Sequence, residues 1–126
     1  MLGRRAVEPR DRVVSLTRQS ETAESLGQLI FERSLPGLQQ AFGKGATRYE
    51  VHVAAADIMR QIMRESERDI QLAEELATKV FEVAKTKLNA ELDVNEITIH
   101  LGSASYSKRF MPEIERPVFE IIADFK

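Results

Sequence analysis

The sequence predicts an α+β fold with an N-terminal arm and helices, one or two long central helices, and a C-terminal antiparallel β unit. Two observations carry this prediction. Apolar residues recur at three- and four-residue steps from Ala54 to Leu92, which is the pattern of a buried helix face. Apolar and polar residues then alternate in residues 97–101 and 117–125, as in strands that bury one face.

The composition indicates a single domain without disulfides. At 126 residues the chain is long enough for one domain and short for two. The absence of Cys excludes a disulfide scaffold, a thiol nucleophile and a Cys-based metal site. The net charge of -2 gives no overall attraction to nucleic acid or to a membrane surface. The opening MLGRRAVEPRDR lacks the apolar core of a signal peptide, and no run is long enough to span a membrane. We therefore expect a protein of a virion or of the cytoplasm, with no membrane partner.

The first 19 residues form a predicted extended basic arm, and residues 20–126 form the single domain. Five arginines in the arm face only two acidic residues. We expect Arg4, Arg5 and Arg10 to bind an acidic neighbouring subunit. A solvated tail and a nucleic-acid contact are the alternatives, and the second is not favoured because the rest of the chain is almost neutral.

A first helix is predicted to begin after Ser20, with acidic residues in its opening turn. Pro36 is expected to interrupt it, and the LQQAF stretch that follows is expected to form a short helical turn ended by Gly43.

Two signals conflict just after this point. Thr47 and Glu50 fit the capping box of a helix, whereas residues 48–53 alternate as a strand does. The alternation is short and alanines follow it. The sequence therefore favours a helix from Thr47, and a strand over residues 48–53 is left open.

The central helical region contains no Gly or Pro between Ala46 and Leu101. One helix of roughly 40 residues would be about 60 Å long, which is more than a domain of this size can cover. Two alternatives are left open. Either the helix breaks in the charged run RESERD, with Ser66 capping a second segment, or it continues and its ends pack on other subunits.

The terminal stretch RPVFEIIADFK predicts a strand with Phe119, Ile121 and Phe125 on one face. The clear partner in the same chain is ITIHL, residues 97–101, and a two-stranded sheet is marginal. The tail therefore either pairs with residues 97–101 under the long helix or adds to the sheet of a neighbouring subunit.

The loop SYSKRF combines two aromatic residues, Tyr106 and Phe110, with two cations, Lys108 and Arg109. Such a set is typical of a protein interface, and it also suits stacking on a base with neutralisation of a phosphate. A third alternative is that the aromatic rings hold the loop on the core while the cations face water.

Candidates for chemistry are few. The two histidines, His52 and His100, lack metal-ligand spacing, and an acid–base pair requires the fold to bring them together. The acidic residues are scattered as on any solvated helix. We therefore predict no catalytic residue, no metal ligand and no cofactor.

These observations together predict a non-enzymatic subunit of a large assembly, which forms a homo-oligomer and contacts other subunits. By analogy, a neck, connector or tail-completion component of a tailed bacteriophage suits the small size and the basic arm. One alternative is a small regulatory protein that masks a host protein or sequesters a nucleotide. Another is a DNA-associated protein that uses the arm.

Overall fold

The structure, a computed structural model, describes the backbone of residues 9–106 and 114–126 and the side chains of residues 18–103 and 116–126. The predicted α+β fold is confirmed. The elements in chain order are α1 (Pro9–Gly43), β1 (Arg48–Ala54), α2 (Ala56–Glu65), α3 (Ile70–Glu91), β2 (Val94–Tyr106) and β3 (Ile114–Phe125). The strands form one antiparallel sheet in the order β1-β3-β2.

The terminal strand β3 lies in the centre of the sheet. Ile121 faces Ile99 of β2 on one side and Val51 of β1 on the other. The predicted pairing of the tail with residues 97–101 is therefore confirmed. Because both edges of β3 are occupied within its own chain over the length of β1, this strand has no free edge there to lend to a neighbour.

The core lies between one face of the sheet and the helices. Phe119, Ile121 and Phe125 project from β3 into this core and are buried. The ring of Phe119 meets the ring of Phe81 on α3 edge-on, with 5.3 Å between the centroids. Helix α1 packs on β1 and α3, and α3 packs on β2, so the helices form a layer over this face. None of the helices in the described part of the chain is long and apolar enough to cross a membrane.

Helix α1 is longer than the sequence predicts at both ends. It begins at Pro9 rather than after Ser20, and it continues through Pro36 to Gly43. Proline is well suited to the first turn of a helix, where its missing N–H is not needed. Inside a helix Pro36 costs about 3 kcal/mol, but Leu38 and Ala41 beyond it are buried in the core. Residues 9–19 are therefore helical and not extended, and the extent of the domain stays a prediction.

Residues 48–53 are in a strand, so the predicted helix from Thr47 is wrong. Strand β1 places Val51 and Val53 on the core side and pairs with β3 along its whole length. The carbonyl of Thr47 accepts a hydrogen bond from the Phe125 amide at 2.9 Å. The ladder with β3 therefore outweighs a local capping box, which would stabilise a helix by only about 1 kcal/mol.

The central helical region breaks at Ser66 into two helices, α2 and α3. Of the two alternatives left open, the break in the run RESERD is therefore correct. The Ser66 hydroxyl donates back to the Ile62 carbonyl at 2.6 Å and closes α2 instead of capping α3. Glu67 and Arg68 then adopt left-handed backbone angles, with φ of 53° and 63°. Asp69 is the residue that caps α3, because its carboxylate accepts from the Leu72 amide at 3.1 Å.

An ion pair joins α1 to the first turn of α2. Both guanidinium Nη atoms of Arg33 donate to the carboxylate of Asp57, at 3.1 and 2.7 Å, and one also donates to the Ala54 carbonyl. Hydrogen bonding from Arg33 lowers the pKa of Asp57 from 3.8 to about 2. The same hydrogen bond raises the pKa of Arg33. This contact fixes α1 against the turn that connects β1 to α2.

Candidate functional site

The face of the sheet that points away from the helices carries both histidines. His52 of β1 and His100 of β2 lie opposite Glu120 of β3, one on each side. The strand order therefore brings into one row two histidines that are far apart in sequence. The acid–base pair considered in the sequence analysis depends on such proximity, and here a glutamate separates the two rings.

Three of the side chains on this face form a compact cluster. His52 Nε2 lies 2.6 Å from Glu50 Oε2, its neighbour two residues back on β1. One donor atom each from Glu50, His52 and Glu120 falls within 4.8 Å of the others. Glu50 and His52 are exposed and Glu120 is half-buried. The cluster is therefore open to solvent and accessible to a small ligand.

Gly102 makes room for the third member of this cluster. A Cβ atom at Gly102 would lie 2.6 Å from Glu120 Oε2. The Glu120 carboxylate therefore rests over the bare backbone of β2. A residue with a side chain at this position would move the carboxylate.

A second feature is an apolar groove beside the free edge of β2, the edge with which no strand of residues 9–106 and 114–126 pairs. It has a volume of about 260 Å³. Leu101, which lines it, is 52% exposed, and Ile70 at the start of α3 is 70% exposed. The remaining lining side chains come mainly from α2 and α3 and include Met59, Met63, Ala77 and Phe81. Apolar surface of this kind, beside an unpaired strand edge, is typical of a protein interface.

A third feature is a basic pocket of about 680 Å³ on α2 and the turn that follows it. Arg60, Arg64 and Arg68 line it with one acidic residue, Glu67, over an apolar floor that includes Met63. Within the described part of the chain, no ion pair engages these three arginines. With three arginines and one glutamate in its lining, the pocket presents a net positive charge.

The structure separates the residues predicted to form an interface. Phe119, Ile121 and Phe125 lie in the core of their own chain, so strand addition by this tail does not fit the fold. Arg10 lies on α1 and Tyr106 ends β2, and their side chains are outside the described residues. Arg4, Arg5, Lys108, Arg109 and Phe110 lie outside the described residues altogether, so their predicted contacts stay predictions.

The metal-binding cluster and the apolar groove were not predicted from the sequence, because both depend on how the strands pair. The cluster of Glu50, His52 and Glu120 depends on the pairing of β1 with β3, and β1 was the element that the sequence misassigned. The spacing of Glu50 and His52 was a usable signal, because residues two apart on a strand share a face.

Comparisons with known proteins identify no relative: no family model, no curated protein and no solved structure matches the chain. The case for function therefore rests on the residues and geometry described above.

Proposed function

We propose that this protein is a non-enzymatic assembly subunit, and that it pairs with a second copy of itself through the free edge of β2. The observation that carries the proposal is the exposed side chain of Leu101 beside that edge. Strand addition by the terminal strand was one of the two alternatives that the sequence left open. Because β3 is central in the sheet, we transfer this role to β2.

The two edge strands differ in how well they are protected against pairing. Strand β1 has seven residues and includes Arg48 and Glu50, and Arg48 lies 3.9 Å from Asp124 of β3. Strand β2 has thirteen residues, and Glu96 is its single acidic or basic residue apart from His100. It contains no Lys, Arg or Pro, the residues that usually prevent edge-to-edge pairing. The register shift between Val94 and Glu96 affects the pairing of β2 with β3 only at the start of β2.

The apolar groove adds a reason for association through this edge. Antiparallel pairing of β2 with its copy, about a two-fold axis, makes one continuous sheet of six strands. It brings Leu101 of each copy, which lines the groove together with Ile70, against the other subunit. Burying apolar surface contributes about 25 cal/mol for each Å² removed from water, in addition to the new backbone hydrogen bonds.

The second copy is the favoured occupant because β2, with Glu96 as its one acidic residue and no Lys or Arg, can serve both sides of the pairing. The net charge of -2 on each chain gives little repulsion between copies. A homo-oligomer was also predicted from the sequence. Contacts of the arm with further subunits, and the bacteriophage virion as the setting, stay predictions.

The test is the molar mass of the full chain in solution, measured by light scattering over a range of concentrations. The proposal predicts twice the mass of one chain, with a shift towards the monomer only on dilution. A mass of one chain at the highest concentration contradicts the proposal.

The basic pocket favours a second candidate function, the binding of a phosphate-bearing ligand such as a nucleotide. Arg60, Arg64 and Arg68 are suitable donors to phosphate oxygens. The test is thermal stabilisation by a nucleoside triphosphate, in the wild type and in a variant with Arg60→Gln and Arg64→Gln. Saturable stabilisation that decreases with salt and is absent in the variant supports this function. No stabilisation of the wild type contradicts it.

A further inference from the structure

We infer that Glu50, His52 and Glu120 bind one divalent transition-metal cation of the zinc class on the open face of the sheet. One donor atom from each of the three side chains already lies within 4.8 Å of the others. The inference is independent of the proposed assembly, because these residues lie on β1 and β3 and not on the free edge of β2.

The backbone places these donors on a rigid base. Glu50 and His52 are two residues apart on β1 and share a face. Glu120 lies directly opposite His52 on β3, the strand that is paired on both sides. Donors that project from paired strands vary less in position than donors on loops, so less conformational entropy is lost when an ion binds.

The donor types select the class of ion. One imidazole nitrogen and two carboxylate oxygens suit zinc and neighbouring transition metals, whereas calcium and magnesium favour sites made of oxygen alone. Three protein ligands match the number found at zinc sites that keep one position for water. The exposure of Glu50 and His52 leaves space for that water.

Local charge also favours a cation. Glu50 and Glu120 bring two negative charges beside an imidazole that is neutral when it binds a metal. The ion would take the place of the hydrogen bond between His52 Nε2 and Glu50 Oε2, which are 2.6 Å apart. The other charged or titratable groups that the strand pairing places on this face are Arg48, Glu96, His100, Arg116 and Asp124.

His100 supplies a matched control for this site. It lies on the same face and opposite the same glutamate as His52, but on the far side, and it does not belong to the cluster. Both histidines are exposed, so each can be replaced with little effect on folding. The chain contains no other histidine and no cysteine. Any zinc site that uses a nitrogen ligand from an imidazole must therefore involve one of these two residues.

The experiment is calorimetric titration of the untagged full chain with zinc chloride at neutral pH, for the wild type, His52→Ala, His100→Ala and Glu120→Gln. We expect one zinc ion per chain and a loss of affinity of about tenfold or more in His52→Ala and in Glu120→Gln. In His100→Ala we expect a change of less than about twofold. Circular dichroism of each variant checks that the fold is retained.

Three results overturn the inference. One is the absence of saturable zinc binding by the wild type, which leaves Glu50 and His52 as an ordinary hydrogen-bonded pair. Another is zinc binding that survives His52→Ala unchanged. The third is an equal loss of affinity in both histidine variants, which places the ion between the two rings and not in the cluster.

Discussion

Leu101 and Phe119 face each other across β2 and β3, yet Leu101 is 52% exposed and Phe119 is 1% exposed. Both side chains project from the helix-facing side of the sheet. Phe119 lies on the central strand beneath α3, whereas Leu101 lies on an edge with no described strand beyond it. This difference in burial between paired residues identifies the β2 edge as one apolar surface that the described part of the fold leaves uncovered.

The first prediction compares truncation of these two side chains. Phe119→Ala is expected to lower the free energy of unfolding by about 3–5 kcal/mol, because it leaves a cavity against Phe81. Leu101→Ala is expected to lower it by about 1 kcal/mol or less in the dilute chain, because half of the side chain is already in water. Urea unfolding at low protein concentration measures both values. Equal losses in the two variants are the contradicting result.

A second prediction concerns the close approach of α1 and α3 at Gly27. A Cβ atom at this position would lie 2.5 Å from Val83 Cγ1 and 2.6 Å from Val83 Cβ. Because Val83 Cβ is fixed to the α3 backbone, the helices must separate. We expect Gly27→Ala to lower the free energy of unfolding by about 1–3 kcal/mol, even though alanine favours helix by about 1 kcal/mol.

Gly43→Ala is the matched control for this crowding. Gly43 is also in α1, and a Cβ atom there meets nothing within 4 Å. Its substitution is expected to change the free energy of unfolding by less than about 1 kcal/mol. If Gly27→Ala proves as harmless as Gly43→Ala, the contact between α1 and α3 is not as close as described.

A third prediction follows from the ion pair of Arg33 with Asp57 and concerns pH. Folding lowers the pKa of Asp57 from 3.8 to about 2, so the pair stabilises the ionised carboxylate. The contribution is complete above about pH 5 and is lost as the pH falls from 3.8 towards 2. Because the Asp57 side chain is 47% exposed, solvent screening limits the contribution to about 0.5–1 kcal/mol.

The variant Asp57→Asn measures this contribution. At pH 7 it is expected to unfold more readily than the wild type by that amount, and near pH 2 this difference is expected to have fallen to a small fraction of its value at pH 7. Chemical unfolding followed at several pH values provides the comparison. A difference that persists unchanged to pH 2 argues against the ionised carboxylate as its source.

A fourth prediction tests which residue caps α3. Asp69→Ala is expected to lower the free energy of unfolding by about 1 kcal/mol, because the Leu72 amide loses the carboxylate that accepts its hydrogen bond. Asp69→Asn keeps an acceptor oxygen and is expected to cost less. Thermal unfolding distinguishes the two variants. Equal loss in both would show that charge and not capping determines the effect.

Much of the fold could be predicted from the sequence, because local periodicity is strong where the core is. Of the apolar stripe predicted for the central helices, Ala73, Leu76, Val80, Ala84 and Leu88 are buried, whereas Ile70 is exposed. Residues 97–101 pair with the tail, which was one of the two predicted alternatives. The break of the central helix near Ser66 was one of two alternatives. A capping residue indicates where a helix can begin, but it does not show whether the preceding helix ends there. The helix stripe could be predicted because it depends on residues close together in the sequence. The strands could be predicted because an alternating pattern shows which of their residues are buried.

The remaining features depend on tertiary contacts that no local pattern encodes. Strand β1 forms because it pairs with the second edge of β3. In a prediction from the sequence, an alternation over six residues could not outweigh the capping box of a helix. Helix α1 continues past Pro36 because Leu38 and Ala41 are buried beyond it. The candidate metal cluster and the exposed β2 edge both follow from the strand order, which places β3 in the centre.

The fifth prediction tests the proposed assembly through two matched charge substitutions. Leu101→Lys places a charge on the β2 edge, where it opposes pairing of strands. Tyr49→Lys places the same charge on the β1 edge, at a large side chain of similar exposure, 45% against 52%. Neither position is in the buried core, so both variants are expected to fold.

The most direct measurement is the molar mass of the wild type and these two variants by light scattering at one concentration. The account predicts that the wild type and Tyr49→Lys have twice the mass of one chain, and that Leu101→Lys has the mass of one chain. A dimer that is unchanged by Leu101→Lys but lost in Tyr49→Lys, or a wild type that is monomeric, contradicts it.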